Sequence, residues 1–308
     1  VTAPRDHGGG LDAARARWGG AEAEWLDLST GINPRPYPLP DLPAQAWTRL
    51  PDRAAEAELL DAARGFWKVP DAADLLAAPG ASALIARMPL IVPPGPVDVP
   101  GPTYNEHEAA LRAAGREIGP GGSARVIVHP NNPDGRLWSR PDDGFTIIDE
   151  SFCDTAPEVS HVAATARPGT LVLKSFGKFW GLAGLRLGFA IGHPDVVVPL
   201  REALGPWPVS GPALRIGAAA LRDRDWAEAT RGRLARDARR LDGLMAPHAT
   251  LAGGTDLFRL YDVPDAAAFR DRLARHRIWS RIFPYSRTWL RLGLPPSDRW
   301  PQIEAALA

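Results

Sequence analysis

Lysine is scarce in this chain: Lys68, Lys174 and Lys178 are the only ones among 36 basic residues in a length of 308. An amine can lose its proton and act as a nucleophile, whereas a guanidinium stays charged, so amine chemistry has only three possible addresses. Cysteine is scarcer still. Cys153 stands alone, which excludes a disulfide within the chain and a thiolate zinc site, and no metal is expected. Neither charge sign is in excess, with 36 acids against 36 bases. No global field then draws the protein to nucleic acid or to an anionic membrane, and neither is expected as a partner. No uninterrupted apolar stretch reaches membrane-spanning length, and no charged-then-apolar leader pattern opens the sequence. The expectation is a soluble cytoplasmic protein, which a single cysteine also suits.

What is present reads as a globular enzyme-sized chain. Hydrophobic residues make up 45% and charged residues 23%, ordinary values for a packed protein. The length suits one large domain and a smaller one. Residues 1–40, rich in Gly and Pro, read as an N-terminal arm with one helix over Leu11–Trp18 that packs with the small domain and the active site. Residues 41–210 read as the large domain. Apolar positions at Leu59, Leu60, Ala63, Phe66 and Trp67 predict a helix over 53–67. Strands are then expected at 75–78, 97–99, 125–128, 145–148, 171–173 and 187–191, with helices at 81–88 and 106–114. These short apolar runs do not alternate, which suits strands buried on both faces of a mostly parallel sheet. The fold class is therefore α/β, with a central sheet covered by helices on both faces and a smaller α+β domain over 211–308.

The chemistry concentrates after the strands, where open α/β sheets bind ligands. Residues 175–188 read Ser-Phe-Gly-Lys-Phe-Trp-Gly-Leu-Ala-Gly-Leu-Arg-Leu-Gly. Lys178 can form an imine with an aldehyde, while the Ser175 hydroxyl and the Arg186 fork hold a phosphate. The aldehyde phosphate that fits is pyridoxal 5'-phosphate. A lysine beside a turn would ordinarily be a surface charge; Ser175, Arg186 and the glycines set this one apart. The apolar neighbours Leu185 and Leu187 suggest that Arg186 lies in a buried segment.

Other residues complete a cofactor set. Gly80-Ala81-Ser82 joins a strand to a helix, whose free N–H groups can cradle an anion. Asp149 ends a buried strand, where a carboxylate would keep the pyridine nitrogen protonated; Asn132 could donate to the cofactor's 3'-oxygen, and Tyr104 could stack on its ring. Arg281 and Arg291 lie in apolar surroundings and offer bidentate anion recognition, although pattern alone allows surface ion pairs equally. His7-Gly8-Gly9 could be a lid or simply a loose terminus.

These motifs resemble fold-type I pyridoxal-phosphate enzymes of the class I/II aminotransferase superfamily. Within it the chain is most similar to the threonine-phosphate decarboxylases of cobalamin biosynthesis. That likeness rests on His7-Gly8-Gly9, Ser29-Thr30-Gly31-Ile32-Asn33-Pro34, Pro102-Thr103-Tyr104 with Glu106-His107, Asp149-Glu150-Ser151-Phe152, and Pro206-Trp207-Pro208-Val209-Ser210. The resemblance implies a lyase acting on L-threonine O-3-phosphate, a small phosphorylated amino acid, as a homodimer with shared active sites. It implies that Arg291 holds the substrate carboxylate, that Arg281 contacts its phosphate, that His7, Gly8 and Gly31 touch the substrate, and that Asn132 faces cofactor and substrate. Phe152 stands where histidinol-phosphate aminotransferases usually carry a tyrosine. Three positions depart from relatives: Gly31 replaces an asparagine, Leu50 a tyrosine that reaches the neighbour's cofactor phosphate, and Gly177 a hydroxyl residue. An aminotransferase acting on a substrate such as histidinol phosphate, and a non-catalytic binding protein of the same fold, stay open as alternatives.

Overall fold

The computed structural model describes residues 7–139 and 144–308. The first six residues of the expected arm, and residues 140–143 of the expected large domain, lie outside them. The chain divides into two compact units. One comprises 36–132 and 136–229; the other comprises 1–35, 133–135 and 230–308.

The larger unit is built on six strands in the spatial order Asp74–Ala78, Gly188–Gly192, Thr170–Ser175, Phe145–Asp149, Ala124–Val128 and Val97–Asp98. Only Gly188–Gly192 runs antiparallel to its neighbours. All five of its residues are buried, as expected of a strand covered on both faces. The register brings one end of the sheet together. Val128 pairs with Asp149, Asp149 with Leu173, and Ser175 and Ala78 each pair with Gly188. Every strand end that carries a candidate residue therefore faces the same edge.

The helix expected over 81–88 is shorter. It spans Ala81–Ile85 and passes into a 3-10 turn, Met88–Leu90, where Pro89 removes an amide donor. The expected boundary after 210 also moves, to 229. Helix Gly211–Arg222 packs against Arg53–Trp67, and Gly217 permits the close approach. A Cβ there would come within 2.6 Å of Leu187 and 2.8 Å of Leu59. The other division, within helix Arg224–Met245, carries no sequence signal because helical periodicity continues across it.

The smaller unit holds an antiparallel sheet in the order Arg281–Phe283, Ser286–Gly293, Phe258–Asp262 and Thr250–Thr255. A two-stranded parallel pair joins Leu26–Asp27 to Ile278–Trp279, which ties the N-terminal segment to the C-terminal residues. Helix Leu11–Trp18 packs on Ala266–Arg275 through Ala14, Trp25 and Ala274. No helix among the described residues is long and apolar enough to cross a membrane.

One buried ionic cluster organises the larger unit. Lys174 sits on a fully buried stretch of strand, and its Nζ lies 2.6 Å from Glu150 and 3.5 Å from Asp154. Burial alone would strip the proton from Lys174, but the two carboxylates, Glu150 first, hold its pKa above the ordinary value. Burial would likewise raise the Glu150 pKa; the attraction of Lys174, the Ser160 hydroxyl and the His161 N–H bring it below the carboxylate range instead. Removing one member leaves an uncompensated buried charge, which costs about 3–5 kcal/mol. Lys174→Met is expected to lower stability by that amount in urea unfolding, whereas Met at the exposed Lys68 should change it little. Equal midpoints for the two variants would contradict the assignment.

Candidate active site

The shared sheet edge opens into a cavity of about 140 Å³. All nine residues expected around the cofactor line it: Gly80, Ala81 and Ser82 on one side, Tyr104 and Asn132 on another, then Asp149, Ser175, Lys178 and Arg186. Ser151, Phe152 and Gly177 complete the polar and aromatic lining.

Asp149 is buried and its two oxygens are served separately. Ser151 donates its hydroxyl to Oδ1 at 2.5 Å and its N–H to the same oxygen at 3.0 Å. His107 lies 2.8 Å from Oδ2 through Nε2. A carboxylate can only accept, so Nε2 carries the proton. Burial would raise the Asp149 pKa, but the bond from His107, its charge interaction and the Ser151 donors hold it below the usual range. The aspartate is thus fixed as an anion, which is what a pyridinium partner must be. His107 follows Tyr104 by three residues at the start of helix Asn105–Ala113. That spacing stacks both on one face, and their rings meet edge-on at 5.8 Å. The Tyr-x-x-His pattern was the available signal for a second support of the carboxylate.

Lys178 Nζ lies 5.4 Å from the centre of the Phe152 ring. The loop is closed by Gly181 N–H to Lys178 O (3.1 Å) and Leu182 N–H to Phe176 O (3.2 Å). Arg186 is exposed, contrary to the buried segment its apolar neighbours suggest; Leu187 is buried and Leu185 half-buried. Its backbone is left-handed, φ 54°, a strained state for a side chain that turns of functional sites tolerate. This turn aims the guanidinium at Gly80, where a Cβ would lie 2.8 Å from Nη2, on backbone of φ +85°. Gly80 therefore serves both conformation and clearance. The one-turn helix Ala81–Ile85 contributes N–H groups rather than a long dipole. Gly177 donates its N–H to the Ser175 hydroxyl at 3.3 Å, and a Cβ at this position would meet Ala183 at 3.3 Å. The neighbouring pair of asparagines splits its work: Asn131 is buried and bonds Pro102 O and Thr103 Oγ1, while Asn132 faces the cavity.

The donor set fits pyridoxal phosphate: one amine, one carboxylate held as an anion, and two serine hydroxyls with a guanidinium and a glycine turn. The profile of aminotransferase class I and II matches residues 120–299. A threonine-phosphate decarboxylase of Pseudomonas aeruginosa is 40% identical over 98% of this chain and 97% of its own. The chain belongs to the class I and II aminotransferase family. A threonine-phosphate decarboxylase of a Sinorhizobium species is 39% identical over 96% of this chain and 95% of its own. The fold matches that of histidinol-phosphate aminotransferase from Sinorhizobium meliloti, solved with pyridoxal 5'-phosphate, at a TM-score of 0.83 and 18% identity, over 97% of this chain and 94% of that one. The architecture of this family member is accordingly the fold-type I transferase.

Apart from Asn132, the residues expected at the substrate lie in the smaller unit. Arg291 is buried and donates to Ser29 O at 2.7 Å. Burial, and then the nearby Arg281, lower its pKa to about 10, so it stays charged at neutral pH in a site poor in solvent. Arg281 donates to His7 O. Gly9 N–H bonds Ser29 Oγ at 2.7 Å and Gly9 O accepts from Trp279 Nε1 at 3.0 Å. A Cβ on Gly8 would lie 2.5 Å from Ser29 O, so the glycine allows the arm to lie against the Ser29 backbone. Gly31 is buried one residue beyond Thr30. Leu50 is exposed.

The depressed pKa of Asp149 links the site to acid stability. A carboxylate whose folded pKa is lowered contributes stability above its unfolded pKa near ~3.9 and loses it as pH falls through the folded value. Phe at position 107 removes the first of the lowering contributions and leaves burial to raise the pKa. In urea unfolding, His107→Phe is expected to lower the midpoint at neutral pH, and the gap to the wild type is expected to narrow as pH falls through the carboxylate range. An unchanged midpoint would contradict the pairing.

Proposed function

We propose that the chain is a pyridoxal-phosphate-dependent carboxy-lyase of the cytoplasm. It converts L-threonine O-3-phosphate to (R)-1-amino-2-propanol O-2-phosphate and carbon dioxide, supplying the linker of the cobalamin nucleotide loop. The observation that carries this reading is the near-full-length likeness to two threonine-phosphate decarboxylases, read with the cofactor set around one cavity.

When bound, pyridoxal phosphate supplies an electron sink conjugated to the substrate's Cα. The chain's residues do the rest. Lys178 would hold the cofactor covalently through its amine, and the same amine would return a proton to the substrate's Cα. Asp149 would hold a proton on the ring nitrogen, Asn132 would donate to the 3'-oxygen, and Tyr104 would pack on the ring. Ser82, Ser175 and Arg186, with the N–H groups at Ala81 and Ser82, would bind the phosphate. Phe152 offers no hydroxyl beside the anchor, in contrast to a tyrosine.

Arg291 takes the substrate carboxylate and Arg281 its phosphate, with His7, Gly8 and Gly31 against the substrate and Asn132 touching both molecules. A buried guanidinium beside a second one favours an anion strongly, because a carboxylate relieves both the burial and the repulsion. Holding the carboxylate would also fix the orientation of the substrate's Cα, and orientation decides which bond breaks. The assembly in this reading is a homodimer with shared sites.

The test is product analysis of the cofactor-loaded protein with threonine phosphate. The reading expects carbon dioxide and an amino alcohol phosphate in equal amounts, without need of 2-oxoglutarate. Amino transfer to 2-oxoglutarate with no carbon dioxide would mark an aminotransferase and sink the proposal.

A further inference from the structure

Asp154 belongs to no step described above, yet it collects three donors. It is 4% exposed. Oδ1 accepts the Trp67 indole N–H at 2.9 Å and lies 3.5 Å from Lys174 Nζ, and Oδ2 accepts the Trp180 indole N–H at 3.1 Å. Trp180 lies two residues beyond Lys178, within the loop that presents the amine to the cavity.

The Trp180 ring is fully buried and held from both faces. It stacks on Phe176 at 5.1 Å and 11°, and on Trp226 at 5.4 Å and 13°. Its backbone carbonyl accepts the Tyr37 N–H at 2.9 Å. Stacked faces resist tilting but leave a ring free to slide and turn in its own plane. A hydrogen bond from the indole edge to a charged, buried acceptor removes that freedom, because such bonds are directional and strong where water is excluded. Asp154 in turn is immobilised by Lys174 and Trp67, which sit on the sheet and on helix Arg53–Trp67 rather than on the loop.

We propose that Asp154 and Trp180 are positioning residues, and that the hydrogen bond between them is the strut that fixes Lys178 against the cofactor. The proposal rests on the reading that Lys178 anchors pyridoxal phosphate. Trp67 supplies an internal control. It donates to the same carboxylate, so Trp67→Phe and Trp180→Phe each delete one indole N–H from one acceptor. Only the second lies in the lysine loop.

The experiment compares the two variants with the unaltered protein by three readouts: thermal midpoint without cofactor, dissociation constant for pyridoxal phosphate, and the pH midpoint of the visible absorbance of the bound cofactor. Both variants are expected to lose thermal stability. Trp180→Phe alone is expected to weaken cofactor binding by roughly tenfold and to move the pH midpoint by about half a unit or more. Should Trp180→Phe not fold, replacement of Trp180 by β-(3-benzothienyl)alanine keeps the ring's size and removes only the N–H, and the same shifts are expected. Equal cofactor readouts for the Trp67 and Trp180 replacements would reduce Asp154 to a structural role and overturn the proposal. A cofactor-loaded, unaltered protein with no visible absorbance would overturn the Lys178 reading and the strut together.

Discussion

A buried ammonium held between two carboxylates fixes what the rest of the larger unit can do. Lys174, Glu150 and Asp154 are all removed from water, and charges in that position keep their ionisation only while each is matched. Glu150 directly follows Asp149 on the sheet edge, Asp154 takes an indole from the lysine loop, and Lys174 lies four residues before Lys178. The cluster therefore occupies one amine fully and leaves the next to face the cavity. Two lysines on one short segment acquire opposite roles from their surroundings, one as a permanent cation and one as a candidate nucleophile.

The same logic governs the cavity. Asp149 in its lining must remain an anion, and burial works against that. His107 and Ser151 offset the cost by spending their donors on Asp149. Elsewhere in the lining the need is for clearance. Gly80 lets the guanidinium of Arg186 approach, and the left-handed backbone at Arg186 turns it inward. In the smaller unit Arg291 presents the complementary problem, a buried cation next to another cation, whose pKa is lowered to about 10. In the proposed reading the substrate carboxylate relieves that imbalance, and a carboxylate is the anion that a guanidinium fork reads best.

Much of this was legible in the residues. The lysine loop, the strand-ending Asp149 and the Gly80 turn each pair a residue type with a place in the chain, and short apolar runs marked the sheet. Resemblance carried the narrower reading through His7-Gly8-Gly9 and Phe152. The Lys174 cluster was not read, although a lysine inside an otherwise apolar strand is a signal, because it demands a carboxylate and Glu150 and Asp154 lie nearby in sequence. Arg186 is exposed although Leu187 beside it is buried, since neighbours in a tight turn can point opposite ways. The larger unit continues past Ser210 to residue 229, because the helix after Ser210 packs on Arg53–Trp67 through Gly217, and a helical glycine does not announce its partner.

The central claim is that Lys178, and not Lys174, carries the cofactor. With three lysines in the chain the assignment can be read directly. The protein loaded with pyridoxal phosphate is reduced with borohydride, digested, and mapped by mass spectrometry. The account predicts a phosphopyridoxyl group on Lys178 alone. A label on Lys174, or on Lys68 with Lys178 unmodified, would contradict it.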